Sequence, residues 1–183
     1  KHTGKVRRAR FSPDGTKIVT ASWDGTACVW DALTGSRLAP ELHHSKAVLI
    51  ANFSPDGQNI LTATSDGMVC LWSLPRDNAA LLVLHHDGPV NRAFFSPNGR
   101  QIVTASLDGT ARFWDSTTGQ SAGPTLRHPD QVLRVRFHPN GDRVATSCRD
   151  GSVRVWSIVT GQRLFPMRHQ ALVDHVEFSP DGR

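Results

Sequence analysis

His2, Thr20 and Asp24 bring an imidazole, a hydroxyl and a carboxylate into one short stretch of chain, with the indole of Trp30 close behind. A hydrolase uses the same three groups when a hydroxyl attacks a carbonyl, an imidazole takes its proton and a carboxylate orients the imidazole. The spacing argues for another role. The set recurs as His44, Thr62, Asp66 and Trp72, as His86, Thr104, Asp108 and Trp114, and as His128, Thr146, Asp150 and Trp156, each 42 residues after the last. A catalytic site needs one copy, whereas a scaffold uses many. A buried indole N–H also needs an acceptor, which the threonine hydroxyl supplies. No catalytic residue, cofactor or metal site is therefore expected.

The elements that must position these groups repeat with them. "FSPDG" at Phe11 returns at Phe53, as "FSPNG" at Phe95, as "FHPNG" at Phe137 and again as "FSPDG" at Phe178. "FSPDGTKIVTASWDGTACVWD" and "FSPNGRQIVTASLDGTARFWD" agree at 15 of 21 positions, which duplication of one unit explains. Proline and glycine punctuate the chain too often for helices, and β-branched residues fill the intervals. Each unit reads as four short strands. In the first, strand a is "KVRRARF", ended by a Ser-Pro-Asp-Gly turn; strand b is "KIVTAS"; Asp24-Gly25 makes a tight hairpin; strand c is "TACVWD". Strand d, "SRLAPEL", carries a proline and should lie at an edge. With Gly25 left-handed at a bulge, Thr20 opposes Cys28 and Ile18 opposes Trp30, so Thr20 and Trp30 share a face. One such sheet buries too little to stand alone, so units must stack.

The 42-residue period, the histidine ahead of strand a and the Trp-Asp that closes strand c resemble the WD-repeat β-propeller family over nearly the whole chain. Two of the four tryptophans depart from the pattern, since Ser73 and Ser157 follow Trp72 and Trp156. The resemblance implies an all-β fold, an incomplete β-propeller of four-stranded antiparallel blades. Blade 1 spans about residues 5–42, blade 2 about 47–84, blade 3 about 89–126 and blade 4 about 131–167, with 170–183 as the first strand of a fifth. It also implies the brace order Asp24–His2–Thr20–Trp30 and its three counterparts.

Family geometry would put the b–c hairpins on a recognition face. The residue before each hairpin aspartate varies: Trp23, Ser65, Leu107 and Arg149. Strand a offers a second variable set, Arg7, Leu49, Asn91 and Leu133, followed by Arg8, Ile50, Arg92 and Arg134. Arg8, Arg92 and Arg134 would make a positive funnel in the propeller channel, or else pair with nearby carboxylates. The function this resemblance implies is a non-catalytic scaffold for other proteins or peptides, within a larger signalling or regulatory protein. The alternatives are a nucleic acid or acidic ligand held by the arginines, and a hydrolase with an unrepeated polar cluster in the channel; no such cluster is found.

Composition adds bounds. The net charge of +5 is scattered, with "KVRRAR" its densest run. No apolar run approaches the roughly 18 residues of a membrane helix. Cys28, Cys70 and Cys148 form no CxxC pair and read as free thiols of a cytoplasmic protein. Asn52-Phe53-Ser54 matches a glycosylation acceptor but falls within an expected strand. Lys1 at the start and "FSPDGR" at the end read as cut ends, so the isolated chain is expected to self-associate through open blade edges.

Overall fold

A computed structural model describes residues 1–74 and 79–182. Positions 75–78, inside the expected blade 2, and Arg183 lie outside the described residues. The chain forms two compact units, Lys1–Val90 and Asn91–Arg183. The described residues contain strands and turns and no helix.

The first unit holds two four-stranded antiparallel sheets. Blade 1 is β1 (Val6–Phe11), β2 (Lys17–Ser22), β3 (Thr26–Asp31) and β4 (Leu42–His43), in that spatial order. Blade 2 is β5 (Val48–Phe53), β6 (Asn59–Thr64), β7 (Met68–Ser73) and β8 (Ala80–His85). β5 packs against β1, β2 and β3. Val19, Ala21, Ala27 and Val29 of blade 1 meet Val48 and Ala51 of β5 in one core, with Ile60 and Trp72 behind them. The small alanines let two sheets approach, and the β-branched residues fill the space between.

The second unit repeats the plan. Blade 3 is β9 (Val90–Phe95), β10 (Gln101–Ser106), β11 (Thr110–Asp115) and β12 (Leu126–Arg127). Blade 4 is β13 (Val132–Phe137), β14 (Arg143–Cys148), β15 (Ser152–Ser157) and β16 (Arg163–Arg168). Val103, Ala105 and Phe113 pack on Val132 and Val135 of β13, with Trp156 completing the cluster.

The hairpin register matches the sequence expectation: Ile18 faces Trp30 and Thr20 faces Cys28. Gly25 takes φ +85°, and a β-carbon there would lie 2.8 Å from the His44 carbonyl oxygen, so the position requires glycine on both counts. The a–b ladder holds a feature the sequence reading lacked. Its register shifts between Val6 and Arg8, between Val48 and Ile50, and between Val132 and Arg134. Arg7, Leu49 and Leu133 are thus the extra residues of bulges, which break the simple alternation of side chains.

The fourth strands also differ from expectation. In blade 1 the ladder sets Ala27 opposite Leu42, with His44 N donating to Gly25 O. Continuing that register would put Pro40 opposite Val29 at a hydrogen-bonded position. Proline has no N–H, so the chain skips ahead and Leu38 N bonds Val29 O instead. Blade 3 does the same: Pro124 would fall opposite Phe113, and Ala122 N takes the bond. In blade 4 His169 N bonds Gly151 O, which places Pro166 at a non-hydrogen-bonded position opposite Arg154. Its ring faces away from the ladder, and β16 runs unbroken.

Of the segment 170–183, expected as a further first strand, the described residues 170–182 join no sheet. A strand needs a partner ladder, and this segment has none. It still lies beside blade 4, where Phe178 meets the His138 ring edge-on and His138 Nε2 is 2.9 Å from Gly182 O.

Candidate functional site

The repeated polar sets assemble around the threonine hydroxyls. In blade 1 Trp30 Nε1–H donates to Thr20 Oγ1 at 2.8 Å. His2 Nε2 lies 2.6 Å from that same oxygen, and its Nδ1 lies 2.8 Å from Thr26 Oγ1. Thr26 Oγ1 donates to Asp24 Oδ1 at 2.6 Å. Donor counting fixes the direction. Thr26 spends its proton on Asp24, so it accepts from His2 Nδ1–H. His2 Nε2 is then the acceptor for the Thr20 hydroxyl. One chain runs from the Trp30 indole through Thr20, His2 and Thr26 to Asp24, and His2 Nδ1 also lies 3.3 Å from Asp24 Oδ2 directly. The other Asp24 oxygen accepts from the backbone N–H of Thr3 and Gly4, which pins the loop entering β1. Burial raises the Asp24 carboxyl, but the bonds from Thr26 and Gly4 outweigh it and hold the group well below the usual range.

The other blades vary this chain. In blade 4 Trp156 Nε1–H donates to Thr146 Oγ1 at 2.8 Å, and His128 Nε2 is 2.8 Å from it. Ser152 stands in the slot of Thr26 and gives its proton to Asp150, which also accepts Arg154 Nη2 at 2.9 Å. His128 Nδ1 is buried without a hydrogen-bond partner. In blade 3 Trp114 donates to Thr104 at 2.9 Å, and Asp108 accepts from the Thr110 amide and hydroxyl. His86 is buried.

Blade 2 corrects the expected brace Asp66–His44–Thr62–Trp72. Trp72 Nε1–H donates to Thr62 at 2.8 Å, but His44 Nε2 has no hydrogen-bond partner. The slot of Thr26 is Met68, which offers no hydroxyl, and Asp66 takes its bond from Thr64 instead. His44 is held by packing, its ring edge-on to Trp72 with centroids 5.3 Å apart. Burial pushes the imidazole down to about 4 in His44, and burial with the nearby Arg154 does the same in His128.

This geometry decides between nucleophile and brace for these residues. Thr62, Thr104 and Thr146 are fully buried. Each oxygen accepts an indole N–H along the lone-pair side an attacking hydroxyl would need. A nucleophile so placed meets no substrate carbonyl, and the sets act as braces between strands and loop. Thr26, Thr110 and Ser152 belong to them too. Their 42-residue step carried that signal, with Met68 the one exception.

The variable positions divide by exposure. Before the hairpin aspartates, Trp23 is 51% exposed and Lys5 Nζ sits 5.3 Å over its ring. Arg149 is exposed, while Ser65 and Leu107 are half-buried. On strand a, Arg7 is exposed and Asn91 and Leu133 are half-buried. Leu49 and Arg92 are buried and present no surface to a partner. Leu49 fails because β5 is sandwiched against blade 1. Arg92 gives Nη1 to Asn91 O at 2.6 Å. Arg134 is half-buried and pairs with Asp174, and Arg8 is half-buried. Cys28, Cys70 and Cys148 are buried free thiols, with Cys70 pushed up to about 11 by burial. Among the described residues no cluster of His, Cys, Asp and Glu could hold a metal, and no helix is long and apolar enough to cross a membrane.

Four-stranded antiparallel sheets, each locked by a Trp-to-Thr bond and a histidine from the preceding loop, define a WD-type propeller blade. The WD40 family model (WD domain, G-beta repeat) matches residues 1–31, 37–73, 80–115 and 123–157. The chain belongs to the WD40 family, whose repeats generally build protein-interaction scaffolds. Among solved structures it is similar to the computationally designed Ika8 protein, at 26% identity and a TM-score of 0.87. The match covers 97% of this chain and 54% of that one, so the chain spans about half its length. No curated protein matches the chain.

Proposed function

We propose that the chain is a non-catalytic platform for protein or peptide partners, and that the b–c hairpin slots carry the recognition. The observation that supports this most is Trp23. A large indole stands half-exposed at a hairpin whose next residue, Asp24, is tied down by its bonds to Thr3, Gly4 and Thr26. A rigid, exposed aromatic loses little entropy on binding and makes an interface anchor. Leu107 and Arg149 offer apolar and cationic variants of the same slot. The role is that of one part of a larger cytoplasmic signalling or regulatory protein, as repeat arrays of this kind suggest.

The arginine-channel reading is the weaker one. Arg134 already has Asp174, Arg136 has Glu177, and Arg92 is buried. Pull-down with the full chain as bait separates the readings. Trp23→Ala and Leu107→Ala should remove bound partners while the fold survives, and Pro55→Ala at the opposite turn should not. Loss of binding at Pro55 alone, or steep salt-dependent capture of nucleic acid, would overturn the proposal.

A further inference from the structure

The gap between the third and fourth strands occurs in two blades for the same reason, a proline at a hydrogen-bonded position, yet the two gaps are furnished differently. In blade 1 the side chains around it include Cys28, Trp30, Arg37, Glu41 and His43. Arg37 donates to one oxygen of Glu41, and His43 Nε2 lies 3.8 Å from the other. A carboxylate from the chain itself fills the space between two basic groups.

Two repeats later the same slots hold Arg112, Trp114, Ser121, Thr125 and Arg127. The glutamate has become a threonine, and no acid among the described residues lines the space. What remains is a cavity of about 270 Å³ bounded by Arg112, Phe113, Trp114, Ser121, Thr125 and Arg127. Its wall is built for it. A β-carbon on Gly123 would come within 3.2 Å of the Phe113 ring, so the bulged strand lies directly on that ring. In blade 1 the pair is Ala39 and Val29, a larger residue opposite a smaller one.

The lining carries two guanidinium groups and two hydroxyls. Arg112 shares its charge with Asp108, 3.4 Å away on the hairpin side. Arg127 is exposed and makes no ion pair among the described residues. Ser121 and Thr125 are exposed at the mouth. The group missing from this arrangement is the anion that Glu41 provides in blade 1. Arg112 and Arg127, with the Thr125 hydroxyl and a Ser121 hydroxyl that otherwise donates to Gly123 O, offer more donors than one carboxylate accepts, and they match the three acceptor oxygens of a phosphoryl group.

We infer that this cavity binds a phosphorylated serine or threonine side chain of a partner peptide, with the phosphoryl group between Arg112 and Arg127 and its stem against Trp114. The site is separate from the hairpin slots, and either assignment stands without the other.

The test is fluorescence anisotropy with the full chain and a pool of seven-residue peptides built around a fixed phosphoserine, beside the same pool with serine and inorganic phosphate as competitor. The phosphorylated pool should bind at least tenfold more tightly than the serine pool. Arg127→Ala should weaken it at least tenfold. Thr125→Glu, which restores the internal carboxylate of blade 1, should do the same, whereas the neutral Thr125→Gln should retain most binding. Both positions lie at the surface, so unchanged melting temperatures of the three variants will show that the fold persists. Equal binding of the two pools, or binding indifferent to Thr125→Glu, would overturn the inference. Inorganic phosphate binding as tightly as the phosphorylated pool would overturn its peptide part.

Discussion

Replacing Thr62 by valine removes one oxygen and almost no volume, yet it strikes the brace of blade 2 at its centre. Thr62 Oγ1 accepts the Trp72 indole N–H and itself donates to Cys70 O. Thr62 is fully buried and Trp72 is 6% exposed, so water does not reach the orphaned N–H. A buried donor left without an acceptor costs about 1–3 kcal/mol. Taking about 2 kcal/mol, and roughly 2–4 °C of melting temperature per kcal/mol for a chain of this size, the shift is about 4–8 °C. Trp72→Phe should cost more, about 3 kcal/mol, because packing volume is lost with the bond. The double variant discriminates best. With both partners gone no orphan remains, so its loss should fall short of the sum of the singles by about 1 kcal/mol. Circular dichroism melts of the four proteins, with exposed Gln58→Ala as reference, supply the numbers. A Thr62→Val melt equal to that of Gln58→Ala, or strict additivity in the double variant, would refute the brace.

Three further outcomes follow from the same structure. His44 and His128 are held down to about 4 by burial, below the unfolded imidazole at about 6.5. The unfolded chain therefore takes up protons first, and stability should be full above about pH 6.5 and fall by on the order of 3 kcal/mol per histidine as pH drops towards 4; a flat melting temperature across that window would contradict it. Gly25→Ala meets both a positive φ and the His44 carbonyl, and should cost about 2 kcal/mol or more, whereas Gly15→Ala, at φ +71° with nothing within 4 Å, should cost only about 1 kcal/mol; equal losses in denaturant titration would count against the close approach. Val6 and Phe11 are 45% and 66% exposed while Val48 and Val132, in the slot of Val6, are fully buried, so the 183-residue chain should associate in light scattering and Val6→Glu should raise its monomer fraction; a monodisperse parent would contradict this.

What the sequence disclosed is what the strand ladder fixes. Once Asp24-Gly25 sets the hairpin, Thr20 and Trp30 must share a face, and the 42-residue step carries that contact to Thr62, Thr104 and Thr146. The histidines were legible only as neighbours in sequence. Whether each ring nitrogen finds its partner depends on the placement of the ring: His44 Nε2 has none, and neither has His128 Nδ1, although blade 4 keeps a hydroxyl at Ser152. The bulges at Arg7, Leu49 and Leu133 could not be read from composition, because any residue tolerates them. Pro40 was visible as an edge-strand residue, and Pro124 holds the same slot two repeats on. That they open the c–d ladder, while Pro166 does not, depends on whether each faces its neighbour through a hydrogen-bonded pair. The cavity of blade 3 grows from that difference and from Thr125 standing where blade 1 has Glu41.

The claim on which the rest depends is that four tryptophans are locked into threonine hydroxyls while the fifth is free to meet a partner. Hydrogen–deuterium exchange of the five indole N–H groups, followed by nitrogen-edited NMR on the full chain, reads this directly. Trp30, Trp72, Trp114 and Trp156 should exchange slowly, and Trp23 should be lost at once. Five indoles exchanging alike, or a protected Trp23, would contradict both the braces and the recognition surface built upon them.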